Sequence, residues 1–122
     1  MKKINFLLFL FGFSFILNSC TNSENKSRLA GEWQGVKWLV GGNPSNYDVK
    51  QVHFKFAMDG GYSSDFGGDK EKGTYIVRDD KLYTTPDDQL EIMVKIAELT
   101  KDTLVFDMNR SGQAEILTLI RK

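Results

Sequence analysis

Apolar side chains that return at every second position constrain this chain more than any other feature, because a β-strand sends successive side chains to opposite faces. In "QVHFKFAM", Val52, Phe54, Phe56 and Met58 share one face, while His53, Lys55 and Ala57 share the other. "QLEIMVKIA" sets Leu90, Ile92, Val94 and Ile96 against Glu91, Met93 and Lys95, and "TLVFDM" aligns Leu104, Phe106 and Met108. Between these runs stand Asp59-Gly60-Gly61, Gly67-Gly68-Asp69, Asp79-Asp80, Pro86-Asp87-Asp88, Lys101-Asp102 and Ser111-Gly112, which accept tight turns or positive φ. Strands are predicted near 31–40, 51–58, 61–66, 71–77, 81–84, 89–98, 103–108 and 113–121, eight in all. No segment carries a helical pattern, and only the loop from Asn43 to Asp48 has room for a helical turn. Each apolar face needs a shared interior. Eight sequential strands on short hairpins supply one by closing into an all-β, antiparallel up-and-down barrel, which also removes exposed strand edges. A two-sheet sandwich would need longer crossing connections, and only the Asn43–Asp48 loop is a candidate.

The barrel sequence starts late. Lys2 and Lys3 precede a run, Ile4 to Leu17, that is apolar apart from Asn5, Gly12 and Ser14. Small Ser19 then precedes Cys20, which is the order of a cleaved secretory signal. A membrane-crossing helix needs about 20 predominantly apolar residues, whereas this run breaks into polar residues from Thr21. Leu17-Asn18-Ser19-Cys20 resembles the bacterial lipobox, with Asn18 where a small residue is more usual. That resemblance implies a signal peptide over 1–19, a Cys20 thiol carrying diacylglycerol, and an acylated new amino terminus, for example by palmitate. Thr21 in place of aspartate implies the outer membrane of the cell envelope. Residues 20–28 are then a lipidated polar tether, and 29–122 one domain.

Charge and composition exclude several functions. Of 16 basic and 16 acidic side chains, residues 1–19 hold two lysines and no acid, leaving 14 against 16. A nearly neutral domain lacks the strong basic face of nucleic-acid binders, so no nucleic-acid partner is expected. One cysteine cannot form an internal disulfide, and stability must come from packing. His53, the single histidine, alternates with Val52 and Phe54 on the expected outer face. No Gly-x-Ser-x-Gly, His/Cys ligand cluster or phosphate-cradling loop is present. "DFGGD" lacks the alternating carboxylates and closing glutamate of a calcium loop. Asp79-Asp80 and Asp87-Asp88 read as turns. The expectation is no enzyme, no metal and no cofactor.

Leu29-Ala30-Gly31-Glu32-Trp33 resembles the Gly-x-Trp opening of lipocalins, and Gly73-Thr74-Tyr75 with "IAELTKDTLVF" is similar to later strands of small bacterial lipocalin-like lipoproteins. The resemblance implies that Trp33 plugs one end of the barrel beneath Arg121 of the last strand. Simple alternation cannot bury both Trp33 and Trp38, but a bulge near Gly35 would turn both indoles inward. The chain is shorter than a typical lipocalin, and an eight-stranded barrel is only just wide enough for its own side chains. Two roles therefore remain open. One is a membrane-anchored module holding a small apolar or amphipathic ligand against Trp38, Phe54, Phe56, Tyr62, Tyr75, Phe106 and Met108. The other is a filled barrel that binds an unidentified protein partner through the loops Gly41–Asp48 and Gly60–Gly68, as an envelope enzyme inhibitor or assembly factor.

Overall fold

The computed structural model describes residues 23–122, so the signal segment 1–19 and Cys20 lie outside the described residues. The strands are β1 (Gly31–Val40), β2 (Asn43–Pro44), β3 (Val52–Phe56), β4 (Gly61–Phe66), β5 (Lys70–Arg78), β6 (Lys81–Pro86), β7 (Ile92–Leu99), β8 (Thr103–Arg110) and β9 (Gln113–Arg121). All pairings are antiparallel; β1 pairs directly with β3 and each later strand with the next, while the two-residue β2 only extends the edge of β1 near the first loop. Pairing of β1 with β9, from Trp33↔Arg121 to Val40↔Glu115, closes the sheet into an eight-stranded up-and-down barrel.

The interior follows the alternating pattern, adjusted at two bulges. In β1 the register shifts between Gly35 and Lys37, which places both Trp33 and Trp38 inside. Gly35 sits where a side chain has no room: a Cβ there would lie 2.6 Å from the Val49 carbonyl oxygen of the 3-10 turn Val49–Gln51. In β7 the register shifts between Ile96 and Glu98, so that Leu99 pairs with the buried Leu104. The core then joins Leu29, Trp33, Trp38, Val52, Phe56, Tyr62, Tyr75, Leu82, Ile96, Leu104, Phe106, Leu117 and Leu119.

Some expectations need correction. No helix was expected, yet the polar segment read as a tether is helical over residues 23–29, here α1. Its only large apolar residue, Leu29, is fully buried, and the helix is held from outside itself: Trp33 Nε1 donates to the Leu29 carbonyl at 2.8 Å and Asn25 Nδ2 to the Asp79 carbonyl at 3.4 Å. Tertiary contacts of this kind stabilise a short helix that its own sequence would not. Met58 does not continue the inner face of β3, because the strand ends at Phe56 and Met58 lies exposed in the turn. β7 begins at Ile92 rather than near 89, leaving Leu90 88% exposed. The loop from 43 to 48 holds β2, and its helical turn falls just after, at Val49–Gln51.

Candidate functional site

The two ends of the barrel differ. At the floor, β1 starts and β9 ends, and the carbonyls at the end of α1 meet Trp33 and Arg121. Trp33 is fully buried, and the Arg121 guanidinium stands over its ring, 4.3 Å from the centroid. The same guanidinium donates from Nη1 to the Ala30 carbonyl and from Nε to the Lys101 carbonyl, both at 2.8 Å, and from Nη2 to the Arg28 carbonyl. One side chain thus ties together α1, the β7–β8 turn and the indole plug. Gly31, at φ 126°, lies against this guanidinium, where a side chain would collide with it.

From floor to rim the interior carries a continuous aromatic chain. Tyr75 meets Phe56 edge-on at 5.1 Å, Phe56 stacks on Phe54 at 5.7 Å, and Phe54 contacts both Phe66 and Phe106 at 5.6 Å. Phe66 contacts Trp38 at 5.8 Å, and Tyr47 of the first loop stacks on Trp38 at 5.1 Å. Among the seven residues expected to contact a ligand, Phe56, Tyr62, Tyr75 and Phe106 are buried core. Trp38 is also buried but belongs to the rim, and Phe54 and Met108 are only partly buried. Phe54, Phe66 and Trp38 are brought together; Met108 lies apart on β8, paired with Glu115.

The rim carries the interior polar groups. Glu115, 7% exposed, accepts from Trp38 Nε1 at 2.8 Å, and its other oxygen lies 3.7 Å from Arg110 Nε. Tyr62 donates its hydroxyl to Glu71 at 2.9 Å, beside buried Ser64 and Thr84. Burial pushes the Tyr62 hydroxyl well above its ordinary range, the hydrogen bond to Glu71 and the Glu71 and Asp87 charges add to this, and a hydrogen bond with Thr84 partly opposes it. Tyr75, whose hydroxyl donates to the Ala57 carbonyl at 2.7 Å, is raised by burial and then by the Asp59 charge. The sequence reading missed Phe66, Tyr47, Glu71 and Glu115. Phe66 and Glu115 were recoverable: Phe66 is in phase with Tyr62 and Ser64, and Glu115 with Leu117 and Leu119.

On the outside, a groove of about 180 Å³ runs along Glu32, His53, Lys55 and Asp65, and one of about 370 Å³ along Lys55, Asp59, Lys72 and Asp87. His53 is half-buried in the first, with Nδ1 buried and without a hydrogen-bond partner, rather than fully solvated. Among the described residues no three His, Cys, Asp or Glu side chains gather as a metal site.

Comparison with known proteins gives the fold a lineage. A family model described as a lipocalin-like domain matches residues 29–106. No curated protein matches the chain. A crystal structure of an uncharacterized protein from Bacteroides eggerthii superposes with a TM-score of 0.60 at 15% identity, covering 76% of this chain and 98% of that one. A lipocalin-like protein from Bacteroides uniformis does so with a TM-score of 0.56 at 20% identity, covering 78% and 98%. With the family match spanning well over half its length, this chain belongs to the lipocalin-like domain family.

Proposed function

We propose that the protein is an envelope lipoprotein, anchored through Cys20 to the outer membrane, whose barrel holds a small amphipathic ligand at its rim by binding rather than catalysis. The observation that carries this reading is the asymmetry of the interior. At the floor, Trp33, Phe56, Leu104 and Leu119 are sealed, whereas farther along the barrel the inward-facing Phe54, Phe66, Val94 and Met108 are only partly covered and Ile92, at the start of β7, is 47% exposed. Partly covered aromatic and aliphatic surface with a few polar groups beside it is the composition of a small-ligand site. The ligand's apolar part would lie on Phe54 and Phe66, which meet each other and Trp38, and its polar end near Glu71, Glu115 and Arg110. The deep aromatic cluster of Phe56, Tyr75 and Phe106 stays core. Mass spectrometry of small molecules released from the purified, delipidated protein tests this. A reproducible compound that quenches the emission of the wild type but not of Trp38→Phe supports the rim site, and quenching unaffected by that substitution removes it.

A second reading rests on the two grooves, which lie outside the barrel on the β3–β5 side. In it the interior is only scaffold, and the outer face with the loops Gly41–Asp48 and Gly60–Gly68 binds an envelope protein. Substitution of Lys55 and Lys72 by glutamate separates the two: it would abolish a protein contact and leave small-molecule release unchanged.

A further inference from the structure

Two neighbouring rows of side chains on the outer face of β5, β6 and β7 have no role in the barrel. Cross-strand pairing places Ile76, Tyr83 and Met93 in one row and Arg78, Lys81 and Lys95 in the next. Ile76 is 47% and Met93 53% exposed. Like charges directly opposite across a sheet oppose folding, yet Arg78 faces Lys81, and Lys81 faces Lys95. Neutralisation is partial. Lys81 Nζ lies 3.5 Å from Asp80, the Arg78 guanidinium lies 5.8 Å over the Tyr83 ring, and Asp107 stands opposite Lys95 at the end of the row. Lys81–Asp80 is an ion pair of the row, and Asp79 adds a second carboxylate in the same turn.

The position of the rows suggests their partner. The turn joining Arg78 to Lys81 is the one that α1 grips, through Asn25 Nδ2 to the Asp79 carbonyl, while Lys26 Nζ lies 5.9 Å over the Tyr75 ring. Cys20 precedes Asn25 by five residues, and a chain of that length reaches at most about 17 Å. An anchor on Cys20 is therefore tethered within that reach of the turn at one end of the basic row. The acyl chains expected on Cys20 already give a stable anchor, and a basic surface beside that anchor adds electrostatic attraction to anionic headgroups, which fixes which face of the barrel meets the bilayer.

We infer that the β5–β7 flank docks on the anionic headgroups of the membrane that carries the anchor, with Arg78, Lys81 and Lys95 on the phosphates and Ile76 and Met93 against the interface. This rests on the acylation of Cys20. The test uses the full acylated chain in vesicles of phosphatidylcholine with or without phosphatidylglycerol. A nitroxide on Met93→Cys is compared with one on Lys37→Cys of the opposite wall, using nickel chelated to lipid headgroups as relaxing agent. In vesicles with phosphatidylglycerol, the label at 93 is expected to relax several-fold more than that at 37. The difference should collapse in phosphatidylcholine alone and in the Lys81→Gln/Lys95→Gln variant. Because that variant relieves like-charge pairing, its melting midpoint should not fall, which separates lost docking from lost folding. Equal relaxation at both positions, or a difference that persists in phosphatidylcholine alone, overturns the inference. Intact mass is read separately: a chain without acyl mass overturns the anchor itself.

Discussion

Arg121 shows how much of the floor one side chain can hold. Its charge faces the Trp33 ring, and its donors reach three carbonyls on two separate segments. Trp33→Ala is expected to cost about 3–5 kcal/mol, as for other fully buried aromatics. Arg121→Ala should cost less, about 1–3 kcal/mol, because it removes one cation–π contact and hydrogen bonds at a partly wetted site. Urea titration of the two variants checks the order, and a larger loss for Arg121→Ala would contradict it. Arg121→Lys should rescue little, since an ammonium cannot serve three carbonyls as a guanidinium does. Two tyrosines add a pH dependence. Tyr62 and Tyr75 are both raised above their ordinary value of 10.0, so the folded state keeps protons that the unfolded chain loses above about pH 10. Stability contributed by these hydroxyls is complete below that value and falls as pH rises beyond it. Denaturation midpoints should be flat from about pH 7 to 9 and decline above about 10, with a shallower decline in Tyr75→Phe. An equal slope in wild type and variant would remove Tyr75 from this effect. At this scale the Gly31-Glu32-Trp33 resemblance pointed to the pairing of Trp33 with Arg121. The inward Glu115 was harder to see, because a carboxylate in an apolar phase reads as the end of a strand rather than as a partner for an indole.

The elements divide according to where their stability comes from. β3 and β8 were legible because alternation alone decides which face is buried, whereas in β9 both parities carry apolar residues, Leu117 and Leu119 against Ile116 and Ile120, and alternation leaves the inward set open. β1 and β7 each carry a bulge, and only in β1 did a glycine mark it; the β7 bulge falls at Ala97, which has no such signature. Helix α1 was not legible for a clear physical reason. Residues 23–28 hold no large apolar side chain, so no helical stripe exists, and the helix depends on Leu29 and on groups from β1, β9 and the β5–β6 turn. That dependence makes Leu29 the sensitive point. Leu29→Ala is expected to destabilise by about 2–5 kcal/mol, whereas Ser27→Ala, on the exposed side, should fall within about 0.5 kcal/mol. Tryptophan emission should also shift to the red in Leu29→Ala, as water reaches Trp33. An unshifted spectrum with full loss of stability would mean that Leu29 packs without sealing the plug.

In the molecule as a whole, closure and asymmetry act together. Among the described residues the β1–β9 seam leaves only the short β2 as an outer edge, so opening the barrel must break a ladder that begins at the Trp33–Arg121 floor and ends at the Val40–Glu115 rim. Burial falls along that path, from a sealed floor to an interior that is half-covered at Ile92, Val94 and Met108. Local opening requires least free energy where few apolar contacts must be broken. Amide exchange should therefore form a gradient. The slowest protons are expected in β1 near Trp33, in β8 near Leu104 and in β9 near Leu119, at protection close to that of global unfolding. The fastest are expected at the start of β7, in the loop from 41 to 51 that carries Tyr47, and at the β8–β9 turn. A ligand seated on Phe54 and Phe66 would cover the rim and leave the floor as it is, so adding the compound recovered from the purified protein should slow the rim amides alone. Exchange slowed equally at floor and rim would mean that the ligand stabilises the whole barrel without sitting in its mouth, and exchange unchanged at the rim would move the binding surface to the outer grooves.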